Sequence, residues 1–456
     1  MAGIGFELRK YLAEDSYLGL LKAYGYAGLI SAGPWVLSIL GVMGIGLLGL
    51  ALRVDAGPLV QFLVSVTWLM ALSLIVSGWL QLMLTRYIAD RLYEKWREAV
   101  VPNLLGALLA TAGVCLLAAA VAAPAFTGTS LAYRLLMLAG FVLMSMIWVL
   151  VIMVSGLRAH NRILASFALG YGITLAAALA LRQAGLEGLL LGFLCGQAVL
   201  FFLLLGLVVW DYPTDRLLQF DFLRRRRVYP LLAVTGLCYN LGIWADKFLF
   251  WFHPVTSQAV VGPLRASLVY DPPIFLAYLS VIPGMAVFLL RMEADFVEHY
   301  DAFYRAIREG DSLDHIEAGK ARMMDTVRRG LLEILKVQGF FALMLILAAD
   351  RVLAWVGLPV SFGSLFAVDV LGVAAQVVLL ALLNVLFYLD ERRHALSVTL
   401  VFALGNAGLT AVSQALGPAY YGYGFALAAT LAAVWALHLV NRVFERLEYE
   451  TFMLKN

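Results

Sequence analysis

Of the 456 residues, 63% are hydrophobic and 14% charged; mean hydropathy is +0.88 and the formal net charge +3. A water-soluble domain is about half apolar and a quarter charged, so the composition excludes one and predicts a polytopic membrane protein. The small net charge gives no reason to expect a nucleic-acid partner.

Apolar runs long enough to cross a bilayer predict twelve spans, at about 24–51, 59–83, 101–123, 135–155, 163–182, 186–210, 229–252, 272–290, 331–349, 366–389, 395–416 and 423–441. Before the first of them, Phe6-Glu7-Leu8-Arg9-Lys10-Tyr11-Leu12 mixes apolar and charged residues as an interfacial helix would. Charges stand there where a signal peptide would need an apolar core, so no cleavage is expected. Pro34, with Gly25, Gly28 and Gly33 nearby, predicts a kink or break in the first span. Lys22, Tyr24, Tyr26 and Ser31 add polar atoms to its inner half.

Alternate loops divide the Lys and Arg residues unequally. The termini and the segments near 84–100, 156–162, 211–228, 291–330 and 390–394 hold 26 of the 33, and the opposite loops hold five. The positive-inside rule then puts both termini in the cytoplasm. Six spans precede the Arg224–Arg227 cluster and six follow it, which predicts a lobe over 1–212, a basic cytoplasmic linker at 213–228 and a second lobe over 229–456. Equal orientation of the halves is compatible with parallel repeats.

The seventh span carries Asp246 and Lys247 side by side. A charge in a span costs at least about 2.5–3.5 kcal/mol on insertion scales, so it turns to a partner or a wet cavity. Asn240, Trp244 and Lys247 share a helical face, with Tyr239 and Asp246 on a neighbouring one. One reading makes these residues line a cavity. The other lets Lys247 snorkel to the outer surface while Asp246 neutralises it. Glu333 and Lys336, three apart on the ninth span, suit an ion pair. Asp369 and Gln376 lie seven apart on the tenth, with Asn384 near their stripe. Gln61, Gln338, Asn406 and Gln414 are further polar positions of the kind that bind helices together.

The longest hydrophilic piece, 291–330, presents Phe296, Tyr300, Phe303, Tyr304 and Ile307 on one helical face. Gly310 and Asp311 end that helix, and a second runs through Ile316, Met323, Met324 and Val327 to the membrane. Its apolar face lies on lipid, on its own bundle, or against a cytoplasmic partner. The aromatic loop from Pro418 to Tyr423 suits an interfacial belt or a sugar-binding face.

Nothing catalytic stands out. There is no Walker loop, HExxH or GxSxG, and His160, His253, His299, His315, His394 and His438 make no metal set. Cys115, Cys195 and Cys238 lie in apolar runs without ligand spacing. Neither an enzyme nor a cofactor nor a metal is expected.

Several blocks carry a resemblance: GIGFELRK at 3–10, AYGYAGLISAGPWVLSILG at 23–41, WADKFLFW at 244–251 and YDPPIFLAYLSVIPGMAVFLLRMEADF at 270–296. Together they resemble the PelG family, inner-membrane transport subunits of Pel exopolysaccharide systems. The resemblance implies an all-α member of the superfamily of multidrug exporters and lipid-linked oligosaccharide flippases, with two six-helix lobes around a central cavity, in a bacterial inner membrane. It implies as cargo a growing polymer rich in N-acetylgalactosamine. It implies as partners a cytoplasmic glycosyltransferase using a UDP-sugar and two membrane-associated subunits, one a cyclic di-GMP receptor. The family motif takes in Asp246 and Lys247, without assigning them a sugar contact. Rival functions are a scaffold that only anchors and stimulates the glycosyltransferase, and an ion-coupled exporter or lipid flippase.

Overall fold

A computed structural model describes residues 24–28, 37–46, 48–49, 55–155, 160–224 and 229–453. The helices are α1 (Leu37–Gly46), α2 (Ala56–Tyr93), α3 (Val100–Ala122), α4 (Leu131–Ser155), α5 (His160–Ala180), α6 (Gly185–Asp211) and α7 (Pro230–Phe252). A hairpin of β1 (Ser257–Val261) and β2 (Leu264–Ser267) follows. Then come α8 (Asp271–Tyr278), α9 (Val281–Phe288), a π-helical turn (Leu289–Asp295), α10 (Phe296–Glu309), α11 (Leu313–Leu347), α12 (Ala349–Val356), α13 (Gly363–Tyr388), α14 (Arg392–Leu416) and α15 (Tyr423–Met453).

Among the described residues, ten helical segments are long and apolar enough to cross a membrane. The charged α7 is not among the ten, and of the first expected span only residues 24–28, 37–46 and 48–49 are described. The loop expected after the seventh span is the antiparallel hairpin instead, turned at Gly262 with φ +53°. Lys22, the 6–12 segment, Ser31, Gly33, Pro34 and Arg225–Arg227 lie outside the described residues.

Contacts divide the chain into two compact units, Pro34–Leu268 and Met1–Gly33 with Val269–Asn456. The division falls after the hairpin and not at the basic linker, because α7 packs lengthwise on α2. Two glycines permit that approach. A Cβ added at Gly236 would sit 2.2 Å from the Gly78 carbonyl oxygen, so neither backbone could keep its place. Beside them Asn240 Nδ2 donates to the Gln81 side chain (3.3 Å) and to the Gly236 carbonyl (3.1 Å), and Gln81 Nε2 donates to Ser77 Oγ (3.0 Å). At the inner end the Tyr229 hydroxyl donates to Asp90. At the outer end Trp68 stacks on Trp251, with ring centroids 4.7 Å apart.

The segment after α6 is docked, not a free linker, as far as Arg224. Gln219 N–H donates to the Pro102 carbonyl (3.0 Å) and Asp221 N–H to Asn103 Oδ1 (2.8 Å). Arg224 pairs with Asp221 at 2.9 Å.

In the second unit, α11 packs on α9, α10 and α13, and α15 packs on α13 and α14. The hydrophilic insert proves to be two helical extensions. α10 continues the eighth span through the π turn, and α11 is one 35-residue helix that includes the ninth span. Gly310, at φ +72°, closes α10, and Ser312 caps α11 through its hydroxyl. The polar face of α10 needs water while its apolar face packs inward: Phe296 and Phe303 are fully buried.

The glycine contact predicts that Gly236→Leu destabilises the chain by about 1–3 kcal/mol or more through overpacking. Gly113→Ala, with nothing within 4 Å of the added atom, should be neutral or gain up to about 1 kcal/mol. Melting curves of the detergent-solubilised protein compare the two.

Candidate functional site

The charged pair on α7 is the first polar arrangement. Asp246 is 0% exposed and Lys247 1%. Lys247 Nζ lies 3.0 Å from Asp246 Oδ2 and donates to the Ile243 carbonyl at 2.9 Å. The ammonium thus turns back one helical turn instead of reaching for the nearer, outer end. A buried lysine held by a carboxylate and a backbone carbonyl has its charge compensated locally. Asn240 and Trp244 are also buried, and Tyr239 is half-buried.

Beyond the pair, aromatic rings and the hairpin secure the end of α7. Trp251 is flanked by Trp68, by Phe248 (5.0 Å) and by Trp244 (6.1 Å). The last carbonyls of a helix have no partner within it. Here Thr256 donates to the Phe250 carbonyl (3.2 Å), and Ser257 and Arg265 donate to that of Trp251, the latter at 3.2 Å. Trp68 Nε1 donates to the Arg265 carbonyl at 2.7 Å. Arg265 thus caps α7, a contribution that the sequence did not point to.

The second arrangement lies in the other unit, at the π turn. Arg291 grips Glu333 with two parallel hydrogen bonds, at 2.6 and 2.9 Å, and Asp295 with a third at 2.7 Å. Glu333 therefore pairs across helices, not with Lys336 as its spacing predicted; Lys336 is exposed. A bidentate guanidinium–carboxylate pair is stronger and more directional than a lysine pair at i, i+3, which explains the choice. Two residues along, Glu293 is 5% exposed and accepts from Asn384 Nδ2 (2.8 Å) and the Tyr388 hydroxyl (2.9 Å). Arg291 and Glu293 were absent from the expected set because 291 was read as the start of a loop. The signal was there: no glycine or proline falls between Gly284 and Gly310, so nothing stops the helix.

The remaining expected residues scatter. Asp369 is buried beside Gly422, whose added Cβ would sit 2.8 Å from its Oδ1, and Gln376 is half-buried. Tyr24 and Tyr26 pack against a cluster of Ala27, Ala286, Leu289 and Leu290. On α10 the expected docking stripe is largely consumed by the fold. Phe296 and Tyr300 pack on Tyr388, and Phe303 packs on Tyr304, leaving Tyr300, Tyr304 and Ile307 half-buried.

A helical, multi-pass chain with buried ionic groups in its spans belongs to a class that the comparisons define. The fold is similar to that of MATE and other MOP-superfamily transporters. An outward-facing MATE multidrug transporter matches with a TM-score of 0.62 at 13% identity, covering 93% of this chain and 96% of that one. A Pyrococcus furiosus MOP-superfamily transporter gives 0.62 at 13%, over 92% and 96%. A mutant of the Vibrio cholerae MATE transporter VcmN gives 0.65 at 12%, over 97% and 98%. No curated protein sequence matches. The family model "PelG: Putative exopolysaccharide Exporter (EPS-E)" matches residues 1–452, and the chain belongs to that family.

Asp246 and Lys247 are buried and paired, and breaking a buried ion pair by removing one partner costs about 3–5 kcal/mol. Lys247→Met alone should lower the melting temperature sharply. The double variant Asp246→Asn with Lys247→Met should recover most of the loss, since apolar replacement of both partners is often close to neutral. A double-mutant cycle on thermal melts measures the coupling.

Proposed function

We propose that this chain carries nascent Pel-type exopolysaccharide, rich in N-acetylgalactosamine, from the cytoplasmic face of a bacterial inner membrane to the periplasm. The observation that carries the reading is the match of the exporter family over residues 1–452, in a chain with a transporter fold. The coarser statement, a membrane transporter of an exopolysaccharide-exporter family, stands without the proposal.

In this reading a cytoplasmic glycosyltransferase makes the polymer from a UDP-sugar and passes it on directly. The membrane companions, including a cyclic di-GMP receptor, gate that supply. The cytoplasmic ends of α10 and α11 offer the glycosyltransferase a rigid helical hairpin, with exposed charges at Glu298, Asp301 and Arg305 in place of the buried phenylalanines. On α7, Asp246, Lys247, Asn240 and Trp244 are buried at rest, and in this reading they meet the polymer only when a rearrangement of the spans uncovers them. Neutral sugar hydroxyls gain from such polar groups without needing a full charge partner, and indole and phenol rings stack on sugar faces.

A membrane scaffold for the glycosyltransferase is the competing reading, favoured by the length of the α10–α11 hairpin. The double variant Asp246→Asn with Lys247→Met, which is predicted to fold, separates the two. Export predicts that secreted polymer falls at least about tenfold, the effect of some 1.4 kcal/mol on the rate-limiting step, while polymer accumulates inside. Normal secretion from that variant, with loss only on charge reversal at Glu298, Asp301 and Arg305, would establish the scaffold. Quantifying polymer in the medium and in lysates with a sugar-specific lectin gives the answer.

A further inference from the structure

The eighth span is not one helix. α8 ends at Tyr278, Leu279 and Ser280 turn, and α9 runs for eight residues before the π turn begins at Leu289. Pro283 accounts for the first junction: it lacks the N–H that would bond Leu279, and its ring crowds that carbonyl. The π turn supplies the second, since such turns insert a residue out of α-helical phase. α9 is therefore a link of about 12 Å with a non-α joint at each end.

One side chain of α11 spans the first joint. Gln338, 1% exposed, accepts from Gly284 N–H through Oε1 at 3.0 Å and donates from Nε2 to the Ser280 carbonyl at 2.9 Å. Ser280 and Gly284 are the two backbone groups, four residues apart, whose pairing opens α9 from its N-cap, and the amide gives each a second partner. The amide sits close over the backbone: a Cβ at Gly284 would come 2.5 Å from Gln338 Oε1, so the amide would have to shift. The second joint is gripped from the same helix, by Glu333 on Arg291.

A third observation distinguishes this joint from a repaired kink. The Ser280 hydroxyl is buried and makes no hydrogen bond to another described residue. A buried hydroxyl without a partner costs about as much as a lost hydrogen bond. The arrangement thus leaves an unmet bond at the place where the amide holds the backbone.

We propose that α9 pivots during export and that Gln338 is the positioning residue that holds its joint, exchanging partners between Gly284 N–H, the Ser280 carbonyl and the Ser280 hydroxyl as the link turns. The proposal rests on the export reading for its purpose but not for its motion. A purely structural amide would need only to fill and satisfy the gap. A working joint must remain a joint.

The test uses the full chain in detergent and in cells. In wild type, the amides of 281–288 should exchange with deuterium at least about tenfold faster than those of 331–347 in the same preparation, as a locally opening unit does. Pro283→Ala with Gln338→Leu lets the helix close its own bonds. This double variant should melt within a few degrees of wild type, slow exchange over 281–288 about tenfold, and secrete at least tenfold less polymer. Gln338→Leu alone should melt lower and also fail to secrete. Equal protection of 281–288 and 331–347 in wild type would overturn the pivot. So would normal secretion from a double variant whose 281–288 amides have become protected. If the wild-type chain secretes no polymer, the export reading fails while the exchange comparison still decides whether α9 moves.

Discussion

In hydrocarbon no water is available to a backbone N–H or C=O, and an unpaired one costs several kcal/mol. That constraint shapes this chain wherever a helix stops or bends within its spans. At the end of α7, a threonine, a serine and an arginine of the following hairpin take the last carbonyls. At the junction of α8 and α9 a glutamine from another helix supplies both a donor and an acceptor. At both of these points a side chain from elsewhere meets the backbone and also ties two elements together.

The charged groups obey the same rule in a stricter form. Lys247 is neutralised by its own neighbour and a carbonyl one turn back. Arg291 is enclosed by two carboxylates, and Glu293 by an amide and a phenol. Each of these pairings lies within one unit. They make the ionic groups part of the packing, so a functional role for any of them must work through small rearrangements rather than free side-chain motion.

Span positions were legible because apolar runs of bilayer length have no other use in water. The observed boundaries of α3, α6, α7 and α14 fall within a few residues of the expected ones. The pairing of spans was not legible. That α7 belongs with α2 depends on Gly78 meeting Gly236 and on Trp68 meeting Trp251, and a single sequence contains no record of which small residues meet. The basic cluster said nothing about how the contacts divide. Of the polar positions, Asp246 and Lys247 were conspicuous by charge, whereas Gln338 looked like any other span glutamine until its amide was seen across the Ser280–Gly284 junction. Glu333 shows the complementary error: spacing along one helix offers Lys336, but a guanidinium on a neighbouring helix is the better geometric match.

The continuity of α11 has a mechanical consequence. Its 35 residues make a rod about 52 Å long, well over the 30 Å or so of a hydrocarbon core, with no proline and no glycine-induced break along its length. Lys320 near one end is tied to Glu448 of α15, and Glu333 and Gln338 hold the eighth span farther along. Force applied outside the bilayer would arrive at the middle of the membrane undiminished, as at the short arm of a lever.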